Sequence, residues 1–301
     1  MVKYRRMNVV IMGAGSIGMA IGAILKEKRG IKISFWDVMP GKVKKQEPLP
    51  DLLGTADVVF LCMPTFALRE AAKTLRPSLK RRTIVVSLAK GIESDTDFSA
   101  DRLLSKILPW RQPFVLLFGP MLASELENQA CGHAVVSSFS RPAVFKIATL
   151  FSGTRLRVVK NYDVRGVALC GALKNVYAIG MGVISALEAG DNIRGAYVAA
   201  AVLEMQYVVR RLGGNAETVM GYAGLADLVA TGLNGNSRNY QIGCALGGRG
   251  RCRGSEGSRA AVSFANLLGK DIKHLPLMRT LHRLLDSGAD PEELLAAVCA
   301  S

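Results

Sequence analysis

The apolar run that ends at Met12 leads directly into Gly13-Ala14-Gly15-Ser16-Ile17-Gly18 and then a helical pattern. This junction restricts the fold more than any other part of the 301-residue chain. Gly13 permits a tight strand-to-helix bend, Gly15 lets the backbone approach a pyrophosphate, and Gly18 lets the helix pack close to a sheet. The helix N-terminus, with Ser16 and Ile17 in its first turn, supplies free amides and the positive end of a dipole. A glycine triplet alone is weak evidence, because turns are rich in glycine; the strand before it and the helix after it give it weight. Asp37 closes the second strand at about the spacing of a carboxylate that accepts hydrogen bonds from an adenosine ribose. Such a carboxylate repels a 2′-phosphate, so NAD is the favoured cofactor, with NADP left open by the neighbouring Lys42, Lys44 and Lys45. A plain turn residue is the alternative for Asp37.

Short β-branched runs alternate with 3.6-period segments through the first half. Strands are expected near Asn8–Met12, Ile31–Trp36, Val58–Cys62, Thr83–Ser87, Phe114–Phe118 and Ala134–Ser137, and helices near Ser16–Lys28, Phe66–Leu75 and Asp97–Leu108. Strands separated by helices of that length imply right-handed crossovers and a mainly parallel, doubly wound, Rossmann-like sheet. From about Asp163 the pattern becomes long apolar helical segments broken by Gly-Gly and Asn-Gly turns, with no convincing strand. The expected division is a dinucleotide-binding domain over 1–162 and an all-α substrate-binding and catalytic domain over 163–301.

Half of the residues are apolar, enough to bury a core in each domain. Lys3, Arg5 and Arg6 precede a first strand, not the apolar core of a signal peptide. The apolar stretch Asn175 to Leu187 is too short and glycine-rich to cross a bilayer core of about 30 Å, so no membrane span is expected. Cys62, Cys131, Cys170, Cys244, Cys252 and Cys299 are scattered without metal-ligand spacing, which suggests reduced thiols in a cytoplasm and no metal. Cys62 and Cys170 read as core filling.

The net charge of +15 attracts nucleic acid, an acidic membrane face or an anionic metabolite alike. The basic clusters at Lys42 to Lys45, Lys80 to Arg82 and Arg249 to Arg253 lack the aromatic interleaving of a single-strand binding surface, so they read as solvated surface. The loop from Gly247 to Gly254 is either a surface turn or a flap beside a ligand.

The second half carries the chemistry. Lys174, in Gly171-Ala172-Leu173-Lys174-Asn175, is flanked by Cys170, Ala172, Leu173 and Val176. A lysine among small apolar residues needs a reason, and ketone reduction provides one: negative charge develops on oxygen, where an ammonium stabilises and then protonates it. His133, His274 and His282 lie outside any motif and read as structural or surface residues. Lys90 follows the fourth strand, at the carboxyl edge where open parallel sheets bind ligands; a solvated loop lysine is its alternative. Ser237, Arg238 and Asn239 are placed to open a helix, where amides, a hydroxyl and a guanidinium converge on a phosphate dianion. Ser237 as a simple N-cap is the other reading.

These motifs, together with Ser87-Leu88-Ala89-Lys90-Gly91-Ile92-Glu93, Gly119-Pro120 with Ala123 and Glu125, Gly224-Leu225-Ala226-Asp227-Leu228 and Glu256-Gly257, resemble bacterial and archaeal NAD(P)-dependent glycerol-3-phosphate dehydrogenases over almost the whole chain. The resemblance implies interconversion of glycerone phosphate and sn-glycerol 3-phosphate, feeding glycerophospholipid synthesis, in a cytoplasmic homodimer. It assigns proton exchange to Lys174, contact with substrate and nicotinamide to Lys90, and substrate binding to Asn175 and to Asp227 with Thr231. Ser237, Arg238 and Asn239 become the phosphate grip, with Arg238, Ala123 and Glu256 also on the cofactor. By itself Glu256 is an ordinary helix-start glutamate. The chain departs from the family in a short connection from Val38 to Ala56, in Ile17 where an aromatic is frequent, in Met121 where a serine is usual, and in the arginine-rich loop. Two other readings are a related dehydrogenase of another small hydroxy or keto acid, which the Ser-Arg-Asn triplet argues against, and a non-catalytic nucleotide-sensing or nucleic-acid-binding relative, which the full catalytic set argues against.

Overall fold

A computed structural model describes residues 6–250 and 254–300. Arg251, Cys252 and Arg253 of the arginine-rich loop, like Lys3 and Arg5, lie outside the described residues. The chain forms two compact units, Met1–Ala89 with Ala100–Val164, and Lys90–Ser99 with Arg165–Ser301.

The first unit is an α/β layer structure. Its strands are β1 (Met7–Met12), β2 (Ile31–Trp36), β3 (Val58–Leu61), β4 (Ile84–Ser87), β7 (Phe114–Phe118), β8 (Gly132–Ser137) and β9 (Leu156–Asn161), arranged 2-1-3-4-7-8-9. All neighbours pair in parallel except β7 and β8. The helices are α1 (Ser16–Lys26), α2 (Leu49–Leu53), α3 (Thr65–Leu75), α4 (Ala100–Ile107), α5 (Ala123–Glu127) and α6 (Arg141–Phe151). On one face, alternate strand residues Ile11, Phe60, Val86 and Leu117 form a core with Ile21 and Ile24 of α1 and Ile147 and Phe151 of α6. Phe60 and Phe151 meet edge to face at 6.1 Å. The intervening strand residues Val59, Leu61, Val85 and Leu116 are equally buried, as continuous apolar strands of a two-sided sheet require. The order reverses between β1 and β3, so the glycine turn after Met12 stands at the switch point where such sheets bind ligands.

The expected strands appear, but β9, α2, α5 and α6 were not anticipated. Strand β9 is an edge strand whose exposed Arg157 and Lys160 hide the apolar signal. Helix α6 carried a start signal in Ser140, whose hydroxyl accepts the Ala143 amide, with Pro142 just inside. The helix expected from Asp97 starts only at Ala100. Residues before it make a small antiparallel hairpin, β5 (Ile92–Glu93) with β6 (Phe98–Ser99), turned at Asp97 in a left-handed conformation.

The second unit is otherwise helical: α7 (Val164–Ala186), α8 (Gly190–Arg211), α9 (Asp227–Gly232), α10 (Arg238–Gly247), α11 (Glu256–Leu268), α12 (Pro276–Asp286) and α13 (Glu292–Cys299). Helix α7 reaches back to Val164, further than the apolar stretch from Asn175 suggested. At 23 residues and a mean hydropathy of 1.6 it is long and apolar enough to cross a membrane, yet its apolar window is wholly buried inside the protein. It is therefore the core helix of this unit. Gly182 of α7 and Gly243 of α10 face one another so closely that a Cβ on either would run into the other helix's backbone. This contact fixes the middle of α10 against the C-terminal part of α7.

Candidate active site

Seven of the expected cofactor residues lie in the first unit. Gly13 adopts φ +99°, and a Cβ there would collide with the Cys62 carbonyl at the end of β3. Gly15, with nothing near its missing Cβ, precedes α1, whose first turn with Ser16 and Ile17 is neither capped by a side chain nor lined by an acid. Gly18 packs where a Cβ would strike the Gly13 carbonyl. The turn therefore presents unclaimed amides at a helix N-terminus, as a pyrophosphate requires. Asp37 reaches this turn directly: Oδ2 accepts the Ala14 amide at 2.7 Å, and Oδ1 accepts Met39 N at 2.9 Å. Ala123 opens α5, which packs beside α1. These residues fit a dinucleotide.

Gln46 was missed by the sequence reading. Its side chain clasps the Asp37 backbone, accepting from N at 2.9 Å and donating to O at 3.0 Å. It holds the short connection after β2, and nothing in that aperiodic, proline-rich stretch signals it.

The remaining site residues belong to the second unit. Lys174, on α7, is 8 % exposed. Its ammonium donates to Thr231 Oγ1 at 2.9 Å and lies 3.4 Å from Asp227 Oδ1. The other Asp227 oxygen receives Lys90 Nζ at 2.7 Å. A π-helical turn, Tyr222–Ala226, leads into Asp227 at the start of α9, and Thr231 follows one turn later on the same face. One buried carboxylate thus stands between two lysines, and the Glu256 charge also acts on Lys90. Burial lowers the Lys90 pKa from its ordinary value; Asp227 opposes that shift and Lys174 adds to it.

A chain of amides fixes this cluster. Gly257 N donates to Asn239 Oδ1 at 3.1 Å, Asn239 Nδ2 to Asn175 Oδ1 at 2.9 Å, and Asn175 Nδ2 to the Lys90 carbonyl at 2.6 Å. Asn175 spends its other amide hydrogen on Gly171 O at 3.3 Å. Both asparagines are buried and turned toward the protein, one on α7 and one on α10. Ser237 stands at the N-cap of α10 without a side-chain cap bond, so its hydroxyl is not spent on the helix. Arg238 is exposed in the first turn, and Glu256 opens α11 beside Gly257.

Residues 37–143 match the family described as NAD-dependent glycerol-3-phosphate dehydrogenase N-terminus, and residues 163–296 its C-terminus. The chain belongs to this family. It is 31 % identical to a glycerol-3-phosphate dehydrogenase [NAD(P)+] of Carboxydothermus hydrogenoformans, over 95 % of this chain and 94 % of that one. A Clostridium tetani relative of the same name is 29 % identical over 94 % of this chain and 89 % of its own. Among solved structures, glycerol-3-phosphate dehydrogenase of Coxiella burnetii superposes with a TM-score of 0.87 at 26 % identity, covering 98 % of this chain and 99 % of that one. Family membership implies an NAD(P)-dependent oxidoreductase, and it accounts for both halves: the glycine turn falls in a Rossmann-like unit, and the lysine pair in a helical one.

Proposed function

We propose that the chain interconverts glycerone phosphate and sn-glycerol 3-phosphate with NAD(H) or NADP(H), NAD being favoured by Asp37, and so provides the glycerol phosphate of glycerophospholipids. The observation that carries this reading is the Lys174–Asp227–Lys90 cluster, with Thr231 as its fourth member. The working unit is taken to be a cytoplasmic homodimer, with cofactor on the 1–162 domain and substrate on the 163–301 domain.

Gly13, Gly15, Ser16, Ile17 and Gly18 would hold the pyrophosphate, Asp37 the adenosine ribose, and Ala123, Lys90, Arg238 and Glu256 the nicotinamide half. When bound, the nicotinamide supplies or accepts hydride at the substrate carbon. Lys174 gives its proton to the carbonyl oxygen in reduction and takes it back in oxidation. Its bond to Thr231 aims Nζ, which lies 3.4 Å from Asp227 Oδ1. Lys90, held by Asp227, adds a second positive charge where alkoxide develops. Asn175 and Asn239 position the two lysines through the amide chain, while Ser237 and Arg238 hold the phosphate with the first amides of α10. The test is NAD(P)H oxidation with glycerone phosphate against glycerone: turnover that requires the phosphate and Arg238 supports the reading, and equal turnover of both ketones refutes it.

A further inference from the structure

Four of the basic residues that the catalytic reading leaves unused gather, within the first unit, at the end of the sheet opposite the glycine turn. A cleft of about 870 Å³ opens there between the turn before β4, the loop leading into β7 and the start of α6. Arg81, Arg82, Arg111 and Lys146 line it together with Trp110 and Phe139, and no carboxylate does. The sequence stretches 71–89, 102–124 and 128–162, from which its lining residues come, contain no Asp or Glu at all. Trp110 is 82 % and Phe139 70 % exposed.

The arrangement is built, not incidental. Buried Gln112 donates to the carbonyls of Lys80 at 3.2 Å and Thr83 at 2.5 Å, tying the Trp110 loop to the Arg81–Arg82 turn. Arg111 holds a left-handed backbone, φ 65°, that a β-carbon-bearing residue adopts at a cost, and its guanidinium lies 4.0 Å over the Trp110 ring. Phe139 stands edge to face on Phe114. Further along α6 the same pairing recurs, with Lys160 4.2 Å over Phe145 and Arg141 5.1 Å over Tyr162.

We infer that this face docks the enzyme peripherally on an anionic lipid bilayer, the arginines and lysines on lipid phosphates and the Trp110 and Phe139 rings at the headgroup boundary. A bilayer surface offers fixed negative charge above an apolar layer, which answers both halves of the face. Arg111 already covers a face of the Trp110 ring and Phe139 is set edge to face on Phe114, which leaves no row of open rings for successive nucleic-acid bases. A second copy would bring like charges together.

Flotation of the full chain with phosphatidylcholine vesicles, and with vesicles containing about one third phosphatidylglycerol, tests this directly. Recovery with the anionic vesicles alone is expected. Arg81→Glu with Arg82→Glu should weaken binding about tenfold or more, and Trp110→Ala with Phe139→Ala should weaken it even in low salt. Unaltered NAD(P)H turnover and thermal midpoint in both variants keep the comparison free of misfolding; Lys146→Glu serves where either control moves. No flotation with anionic vesicles, equal flotation with neutral ones, or binding indifferent to all these variants would each overturn the inference. So would tighter binding of a labelled single-stranded oligonucleotide, or dissociation of a dimer by Trp110→Ala with Phe139→Ala.

Discussion

Lys90 Nζ lies 2.7 Å from Asp227 Oδ2, a part-buried ion pair between residues 137 positions apart. The same carboxylate turns its other oxygen toward Lys174. Replacing it strands the buried Lys174 ammonium and the part-buried Lys90 one, so Asp227→Asn should cost about 3 kcal/mol in urea unfolding, the low end of the range for a broken buried pair. Turnover should fall with it. A variant as stable and as active as the parent would show that the pair neither anchors the fold nor arranges the site.

Arg238 is exposed at the start of α10, next to a serine whose hydroxyl is left uncapped. Loss of a charge-assisted bond of about 1.5–3 kcal/mol predicts that Arg238→Ala lowers kcat/KM for glycerone phosphate roughly 10- to 150-fold more than it lowers that for glycerone, whose only loss comes through the cofactor contact. Steady-state kinetics on the two ketones decide it; an equal loss on both would place Arg238 elsewhere in the mechanism.

Asp37 accepts the Ala14 amide inside the glycine turn, and the proposed function puts the adenosine ribose there. Removing its charge should relieve repulsion of a 2′-phosphate: Asp37→Ser is expected to raise the NADPH-to-NADH ratio of kcat/KM about tenfold, equivalent to about 1.4 kcal/mol. An unmoved ratio would leave cofactor choice to Lys42, Lys44 or Lys45.

The glycine turn, the sheet and the lysine motifs were legible because each depends on local pattern: strand before turn, helix after it, a lysine amid apolar neighbours. Their meeting at one site came only through the family resemblance, not from local pattern. Asn239 reads in sequence as part of the phosphate grip with Ser237 and Arg238, yet its amide is spent inside the second unit, bridging Asn175 and Gly257 across three helices. That placement is set by the Gly182–Gly243 crossing, which a one-dimensional pattern does not encode. Gln46 escaped for a related reason, since a clasp within an irregular loop has no periodicity to betray it. Dispersed along the sequence, the arginines at 81, 82 and 111 likewise gave no hint of the aromatic residues they join in space.

Glu204 of α8 is buried, and its carboxylate accepts Leu277 N at 2.7 Å, Met278 N at 2.9 Å and the Tyr177 hydroxyl at 2.9 Å, closing the start of α12. The donors favour the ionised form, but burial outweighs them and pushes the pKa up to about 7. Because the folded-state value lies above that of the unfolded chain, protonation favours folding. The stability this group contributes is complete below pH about 4.5 and is lost as pH rises through about 7. Relative to Glu204→Gln, the parent should lose on the order of 3 kcal/mol between pH 4 and 8, at 1.36 kcal/mol per pKa unit. Urea midpoints across that range read it; parallel curves for parent and variant would mean that the amide donors win.

The central claim is that Lys174 exchanges the proton at the substrate oxygen. NADH and NADPH oxidation with glycerone phosphate, comparing the parent chain with Lys174→Met, tests it most directly. The predicted result is turnover in the parent, a loss of roughly 10²–10⁴-fold in the variant, and NADH binding preserved in both by fluorescence titration. Parent-like turnover in Lys174→Met would contradict the account.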